Sequence, residues 1–583
     1  MHKVLTLVLI SVLAACSSAT SDSVINRANI NVSDQAMVVT ANPHASKAGL
    51  EILQAGGSAI DAAIAIEAVL SLVEPQSSGL GGGGFMTYFD SKTKQVVVYD
   101  GRETAPSLAH ENMFLDSSGK PFGFIDAKHS GLGIGVPGMV AMLEMAHSEH
   151  GKLEWGAHFD YARKLAVDGF KVSPRLNGSI ERFTKRFPQT PEEGPSDAFD
   201  YFHDEHGQPL AVGTTLRNLD YADTLRLIAK DPKNFYRGEI ANQILEQVSK
   251  APRQGSLSLG DIKNYRAQKR QALCIDYRQS KVCGPQPPSS WVTVGQILGL
   301  LEYGPEFSEQ GAKDANNWVI FAEAQRLAYA DRDRYVADDH FIDVPLVGLL
   351  SKDYLQQRAK LIAQDATTPV VPGDPWQYQK PGNNVKRGED ATLDIAGTTH
   401  FVVVDKDGNV VSLTASVESI FGSTRIAGGM FLNNQLTDFS FKAKDDNGDL
   451  IANRVAANKR PRSSMSPTIM LDSNGDFFMA TGSPGGSSII AYNAKTIVGV
   501  LDWGLSPQQA IELPNLVARG GRVRIEKSRA DDNIIDGLRR HGYTVKESAG
   551  ENSGLSMVLK HPDGQLEGGV DPRREGTIET INY

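Results

Sequence analysis

The feature that most constrains this chain is an abrupt change of pattern far from either terminus. From Asp365 to Gly397 no helical or strand period is present, and Pro369, Pro372, Pro375 and Pro381 stand among Gly, Asp and Asn. Connections in compact domains run about 4–6 residues, so a run of this length is functional or mobile. Order then returns at once. Thr399 to Asp405 reads as a strand, Lys406-Asp407-Gly408-Asn409 as a hairpin turn, and Val410 to Ser416 as the returning strand. Any fold must therefore accommodate an irregular segment that ends directly against a strand headed by Thr398.

The flanking sequence supplies the remaining layers. Ala45 to Leu53 and Ala59 to Leu72 carry helical spacing, with Ser58 and Asp61 suited to open the second helix. Gly79-Leu80-Gly81-Gly82-Gly83-Gly84 leads into a strand, Phe85 to Phe89, rather than into a helix. It therefore suits close backbone packing better than phosphate binding. Gln95 to Tyr99 completes that hairpin. Val136 to Ile362 is mostly helical, interrupted by strand-like sequence around 266–285, and Asn316 to Tyr335 predicts a long amphipathic helix. Beyond the Thr398 hairpin, strands are predicted near Met430–Leu432, Thr468–Leu471 and Phe477–Ala480, and helices near Ile489–Leu501 and Pro507–Glu512. No internal repeat is present. The elements do not alternate as βαβ units, so the fold class is α/β with helices layered on stacked sheets.

With 583 residues the chain can bury a large core, and its formal net charge of −10 argues against nucleic acid as a partner. Residues 1–15 read as a signal peptide: a short basic start, then an apolar run from Val4 to Leu13 too short to span a bilayer. Leu13-Ala14-Ala15-Cys16 resembles a bacterial lipobox, which makes Cys16 the candidate lipidation site. Ser17 fits outer-membrane sorting, so the expected location is the periplasm, with anchoring to the outer membrane. An ordinary secretory signal is the alternative. Cys274 and Cys283 flank a predicted turn, where a disulfide and two free thiols are both open. No metal-ligand spacing and no nucleotide motif is present, so no cofactor or metal is expected.

A Thr hydroxyl is a weak nucleophile near neutral pH unless a base adjoins it. A free N-terminal α-amine, with a pKa of about 7.7–8.0, is such a base for its own residue. An internal Thr gains one only if the chain is cut before it. The bond Gly397–Thr398 suits that cut, because Gly397 offers little steric resistance to attack by the Thr398 hydroxyl on its carbonyl. Taken alone, the stretch reads as well as a strand start after a linker, where Thr is common.

The rest of the sequence separates these readings. Thr398-Thr399-His400-Phe401 through Asp405-Lys406-Asp407-Gly408-Asn409 is followed by Phe421-Gly422-Ser423 and by Leu432-Asn433-Asn434-Gln435 with Asp438-Phe439-Ser440. Asn458 to Thr468 reads NKRPRSSMSPT, and Thr481 to Ser487 reads TGSPGGS. Upstream stand ILQAGGSAIDAAIA, GLGGGGFM and GRETAPSLA. Together these resemble the γ-glutamyltransferase (glutathione hydrolase) family, from about residue 30 to the C-terminus.

The resemblance implies an N-terminal-nucleophile hydrolase with a four-layer αββα sandwich built from two chains of one precursor. The large subunit would span 16–397, with a mobile tail at about 365–397, and the small catalytic subunit 398–583. The two would stay together. Thr398 would cleave the chain and then accept a γ-glutamyl group from glutathione or a related amide. That group would pass to water or to an amino-acid or peptide acceptor. Gly485 and Gly486 match the oxyanion-hole glycines. Arg102, Ser463 and Ser464 match the residues that bind the substrate α-carboxylate, and Gln435 and Asp438 those that hold its α-ammonium. Guanidinium suits carboxylate and an acid suits a cation.

Four positions depart from the pattern. Ser416 and Glu418 stand where many members have Thr and Asn. Ser416 keeps a hydroxyl to support Thr398, and Glu418 is expected to bring an added charge to the ammonium pocket. Thr437 replaces a frequent Asp. Trp291 stands where a Gly pair is usual. Phe441 to Ala457 is expected to form a lid unlike that of the well-known members. These departures keep open an amidase of the same fold acting on another acyl group, such as a β-lactam side chain or a γ-linked polymer. A non-catalytic binding lipoprotein is the third reading.

Overall fold

The computed structural model of the chain describes residues 32–33, 35–190, 192–362, 369–379, 386–392 and 397–581. The signal segment 1–15 and Cys16 lie outside them, as do 363–368, 380–385 and 393–396 of the tail.

Two seven-stranded antiparallel sheets form the centre. The first runs in the order Thr577–Ile581, Ala36–Thr40, Thr398–Val404, Val410–Ser416, Gly83–Asp90, Gln95–Asp100, Gln268–Gln271. The second runs Val32–Ser33, Leu566–Val570, Ser556–Lys560, Phe477–Gly482, Thr468–Leu471, Ser280–Gly284, Leu273–Tyr277. Successive strand residues point to opposite faces, and the cores follow that alternation. Phe401 and Val403 pack with the helices Pro43–Gln54 and Ala59–Val73. Val402 and Val404 pack instead against Ile469, Phe477, Ala480 and Val558 of the second sheet. Met470, Met479 and Met557 face the helices Trp291–Tyr303, Ala315–Tyr335 and Ile489–Leu501. The layers are helix, sheet, sheet, helix, as the resemblance implied.

Local chemistry explains the elements. Ala59–Val73 is buried at every position and opens with a capping box between Ser58 and Asp61. The central strands are buried at every position, including the polar residues Thr398, Thr399 and His400 of one and Ser412, Thr414 and Ser416 of the other. A Cβ on Gly82 would stand 2.1 Å from the Ser416 carbonyl oxygen, so the glycine run does permit close backbone approach. Cys274 and Cys283 face each other across the Leu273–Tyr277 and Ser280–Gly284 pair and are joined by a disulfide.

One expectation is revised. The helix Ala315–Tyr335 is not amphipathic: 17 of its 21 residues are buried. Its charged residues pair inside the protein, Arg326 with Glu323 and Asp331 with Arg358, instead of facing water. Among the described parts of the tail, some residues are buried and others, such as Val371, are exposed. Pro375–Tyr378 forms a turn whose Trp376 sits against Leu349 and Tyr354, and buried Asp390 pairs with Arg462 at 3.0 Å. No helix among the described residues is long and apolar enough to cross a membrane.

Candidate active site

Strand register sets the centre of the site. Thr398 pairs with Ser416, and Ser416 in turn pairs with Gly83. The chain is continuous at Gly397–Thr398. The Ser416 hydroxyl makes three contacts: Gly397 O at 2.8 Å, the Glu418 N–H at 2.8 Å and the Thr398 hydroxyl at 3.3 Å. A carbonyl only accepts and an amide N–H only donates. The single Ser416 proton therefore goes to Gly397 O, and the Thr398 hydroxyl donates to Ser416. The carbonyl before Thr398 is thus polarised by the same group that receives the Thr398 proton.

A cleft of about 20 Å³ gathers Arg102, Thr398, Ser416, Glu418, Gln435, Asp438, Ser463, Ser464 and Gly486, joined by Met465 and Ile489. Gly485 lines a separate cavity together with Ser487 and Ser488. Gly485 has φ +142° and Gly486 φ +59°, and a Cβ on Gly485 would meet the Tyr492 ring at 2.6 Å. The turn that presents these amides thus requires glycine.

Opposite charges meet inside the cleft. Arg102 is fully buried. It donates to Asp438 at 2.6 Å and to the carbonyls of Pro461 and Arg462. Gln435 donates to the same Asp438 oxygen at 2.8 Å, which leaves its own carbonyl oxygen buried without a partner. One oxygen of Glu418 is likewise unpartnered, while the other accepts from Ser419 and Asn434. Glu418 also holds φ +79°, a strained conformation for a residue with a Cβ. Burial, and then the Asp438 carboxylate, push the Glu418 acid well above the usual range. The same surroundings make a negative charge on Glu418 costly while the cleft holds no cationic partner for it. Ser463 accepts from the Met465 N–H, and Ser464 accepts from Arg332 at 2.7 Å.

The Gamma-glutamyltranspeptidase family model matches residues 45–581. The chain belongs to the γ-glutamyltranspeptidase family. It is 34% identical to a glutathione hydrolase proenzyme of Bacillus subtilis (strain 168), over 95% of this chain and 92% of that protein. It is 32% identical to the Acylase ACY 1 proenzyme of Pseudomonas sp. (strain V22), over 94% of this chain and 93% of the relative. Its fold superposes on the crystal structure of cephalosporin acylase from Bacillus halodurans with a TM-score of 0.81 and 26% identity, covering 99% of this chain and 100% of that one.

Within this γ-glutamyltranspeptidase-family fold, two departures fall away from the cleft. Trp291 is buried in the core, its N–H on the Thr468 hydroxyl, and Thr437 bonds to Asn434. Phe441 stacks on Phe114 beside an open cavity of about 470 Å³. Sequence reading missed two arginines. Arg332 fixes Ser464, but in the sequence it is one charge in an Ala-Asp-Arg-Asp-Arg run. Arg574 donates to the Thr398 carbonyl at 2.9 Å and to the carbonyls of Ser553 and Asn552. Only the Arg573-Arg574 pair in a turn hinted at it. Among the described residues one group, Asp61, His147 and His158, has ligand atoms within 4.8 Å of one another. None of these lines the cleft, and Asp61 is already the capping acid of its helix.

Proposed function

We propose that this protein is a self-cleaving γ-glutamyltransferase and glutathione hydrolase. The observation that carries the reading is the set of groups around Thr398: a buried guanidinium, a carboxylate, and two unpartnered buried acceptors on Gln435 and Glu418. Together they complement an α-amino-acid head group. An α-carboxylate matches Arg102, Ser463 and Ser464. An α-ammonium has three N–H donors, which match Asp438, Gln435 and Glu418.

The reaction follows from the same groups. In the precursor Thr398 Oγ attacks the Gly397 carbonyl, with Ser416 polarising that carbonyl. Hydrolysis of the resulting ester frees the Thr398 amine and yields subunits 16–397 and 398–583. In the mature enzyme that amine takes the Thr398 hydroxyl proton as Oγ attacks the γ-carbonyl of the donor. The N–H groups of Gly485 and Gly486 stabilise the oxyanion, and the amine returns the proton to the leaving nitrogen. Water or an acceptor amine then removes the glutamyl group. The N-terminal sequence supports export to the periplasm and outer-membrane anchoring through lipidated Cys16.

A second reading is an acylase of the same fold, and the likeness to the two acylases favours it. A matched donor pair separates the two. γ-Glutamyl anilide and glutaryl anilide differ only in the α-ammonium group. The proposal expects γ-glutamyl transfer to exceed glutaryl transfer at least a hundredfold in kcat/KM. Equal or greater glutaryl activity would hand the site to the acylase reading.

A further inference from the structure

Away from the cleft, Asp61, His147 and His158 bring three segments of the chain together. Asp61 stands in the first turn of the helix Ala59–Val73, His147 in the last turn of the helix Met139–His150, and His158 in the turn Trp155–Phe159. The side chains of Asp61 and His158 are fully buried, and that of His147 is 19% exposed. The two carboxylate oxygens of Asp61 have separate partners. Oδ2 accepts from the backbone N–H groups of Ser58, Lys152 and Leu153 and from the Ser58 hydroxyl. Among the described residues Oδ1 meets only the two imidazoles, His158 Nε2 at 2.9 Å and His147 Nε2 at 3.6 Å. Capping the helix therefore occupies one oxygen and leaves the other to the histidines.

The proton count at this contact calls for a cation. His158 Nδ1 lies 2.8 Å from the Trp155 carbonyl oxygen, which only accepts, so Nδ1 carries a hydrogen. A neutral imidazole has one N–H, so Nε2 then turns its lone pair toward the Asp61 carboxylate at 2.9 Å. Two lone pairs facing each other in a buried site repel. Either a second proton on the ring or a metal ion must come between them. An imidazole whose other nitrogen is fixed by a carbonyl is how metal-binding histidines are commonly oriented. Spacing favours the metal. Atoms about 2.1 Å from a tetrahedral zinc ion stand about 3.4 Å apart. The observed 2.9 and 3.6 Å bracket that value, and all three ligand atoms lie within 4.8 Å of one another. A proton shared by Asp61 and His158 gives His147 no part in the cluster. The Leu153 carbonyl oxygen, 2.9 Å from His147 Nε2, adds a further oxygen there. The partial exposure of His147 offers an entry path.

We infer that Asp61 Oδ1, His147 Nε2 and His158 Nε2 bind one divalent transition-metal ion of the zinc class, with the Leu153 carbonyl or water completing the shell. Two imidazoles and a carboxylate suit such an ion. Binding needs bare nitrogens, so the ion takes the place of the hydrogens on the two Nε2 atoms, which pass to solvent. The role is structural. Asp405 follows the strand that Thr398 opens, so it lies about 20 Å along that strand from the nucleophile. The Asp405 carboxylate accepts from the Ala59 N–H, and Asp407 of the same turn pairs with Lys152. The ion thus fastens three segments that precede the proposed cut at Thr398, and through Ala59 and Lys152 these hold a turn that lies beyond it.

The test strips the full protein of metal with EDTA, exchanges it into metal-free buffer and titrates it with zinc sulfate. One zinc per chain by elemental analysis is expected. With zinc at about a hundredfold over its Kd, the Tm should stand at least about 2 °C above that of the stripped protein. Cobalt(II) in place of zinc should give the visible absorption of a tetrahedral ion and quench Trp155, whose ring lies 5.3 Å from that of His147. That measurement needs no variant. His147→Ala trims a partly exposed side chain. It should weaken zinc at least about a hundredfold and abolish the zinc-induced rise in Tm, since losing even an outer partner of a ligand costs about 10–100-fold. His206→Ala, at an exposed position, should bind zinc as the wild type does. A stripped protein that takes up no zinc, or whose Tm zinc leaves unchanged, would mean that a proton alone joins His158 to Asp61, and the site is overturned. Zinc held equally well by His147→Ala places the ion elsewhere and overturns it too.

Discussion

The Ser416 hydroxyl lies 2.8 Å from the carbonyl oxygen of Gly397 and donates its only proton to it. That contact places a polarising donor on the carbonyl that Thr398 is proposed to attack. Losing one preorganised oxyanion donor costs about 2.7–4 kcal/mol in other enzymes, a factor of about 10²–10³. Ser416→Ala is expected to slow the cleavage at 397–398 by about a hundredfold. Ser416→Thr, which keeps the hydroxyl, should cleave within about tenfold of wild type. The appearance of a fragment beginning at Thr398 on a denaturing gel measures both. An alanine variant that cleaves at the wild-type rate would remove Ser416 from the reaction.

The Arg102–Asp438 pair gives a second prediction. Both groups are buried, and they satisfy each other across 2.6 Å when no substrate is bound. An amino-acid head group inserts its two opposite charges between them and replaces one ion pair by two. Asp438→Asn keeps the shape but removes the partner of the ammonium. Removing one member of a buried charged contact costs about 2–5 kcal/mol. The kcat/KM for γ-glutamyl anilide is therefore expected to fall at least about thirtyfold, mostly through KM. Glutaryl anilide, which has no ammonium, should lose far less. Equal losses on both donors would mean that Asp438 supports the fold and not the ammonium.

Much of the fold was legible because strand alternation and helix spacing are local signals. The Thr399–Ser416 hairpin, the Ser58–Asp61 cap and the strands around 266–285 could all be read from neighbouring residues. The helix Ala315–Tyr335 was mistaken for amphipathic because its buried Arg and Asp residues look like a solvated face. Only the tertiary partners, Arg358 and Ser464, show that they are inside. The site was legible through resemblance more than chemistry. Ser463, Ser464, Gln435 and Gly486 are unremarkable in sequence, and their convergence depends on register across two sheets. The raised pKa of Glu418 could not be read at all, since it comes from burial beside an Asp twenty residues away.

Stability should respond to pH through Glu67. This residue sits within the helix Ala59–Val73, and burial pushes its carboxyl up to about 8, with the Ser78 hydroxyl only partly offsetting. In the unfolded chain the value returns to about 4.3. The folded state therefore binds the proton more tightly. The stability this confers is complete below about 4.3 and is lost as pH rises through about 8. Glu67→Gln removes the ionisation while keeping the shape. The Tm of wild type should fall more steeply between pH 5 and 9 than that of Glu67→Gln. Parallel Tm–pH curves would show that the Glu67 proton does not contribute.

Arg574 tests whether Thr398 is held in place by its own backbone. Its guanidinium is fixed by three carbonyls, those of Thr398, Asn552 and Ser553, and lies 3.9 Å from Glu74. Burial, and then Arg175, lower its pKa to about 9, so the site holds this cation at a cost. A hydrogen bond to a charged group contributes about 1.5–3 kcal/mol. Arg574→Lys keeps the charge, but one ammonium cannot span three carbonyls in the planar geometry of a guanidinium. A loosened Thr398 would spend less time aligned with the γ-carbonyl, while the head-group pocket at Arg102 would be unaffected. The lysine variant is therefore expected to lose about tenfold or more in kcat with KM changed less than about twofold. A loss carried by KM would instead place Arg574 in substrate binding, and unchanged kinetics would show that the strand alone positions Thr398.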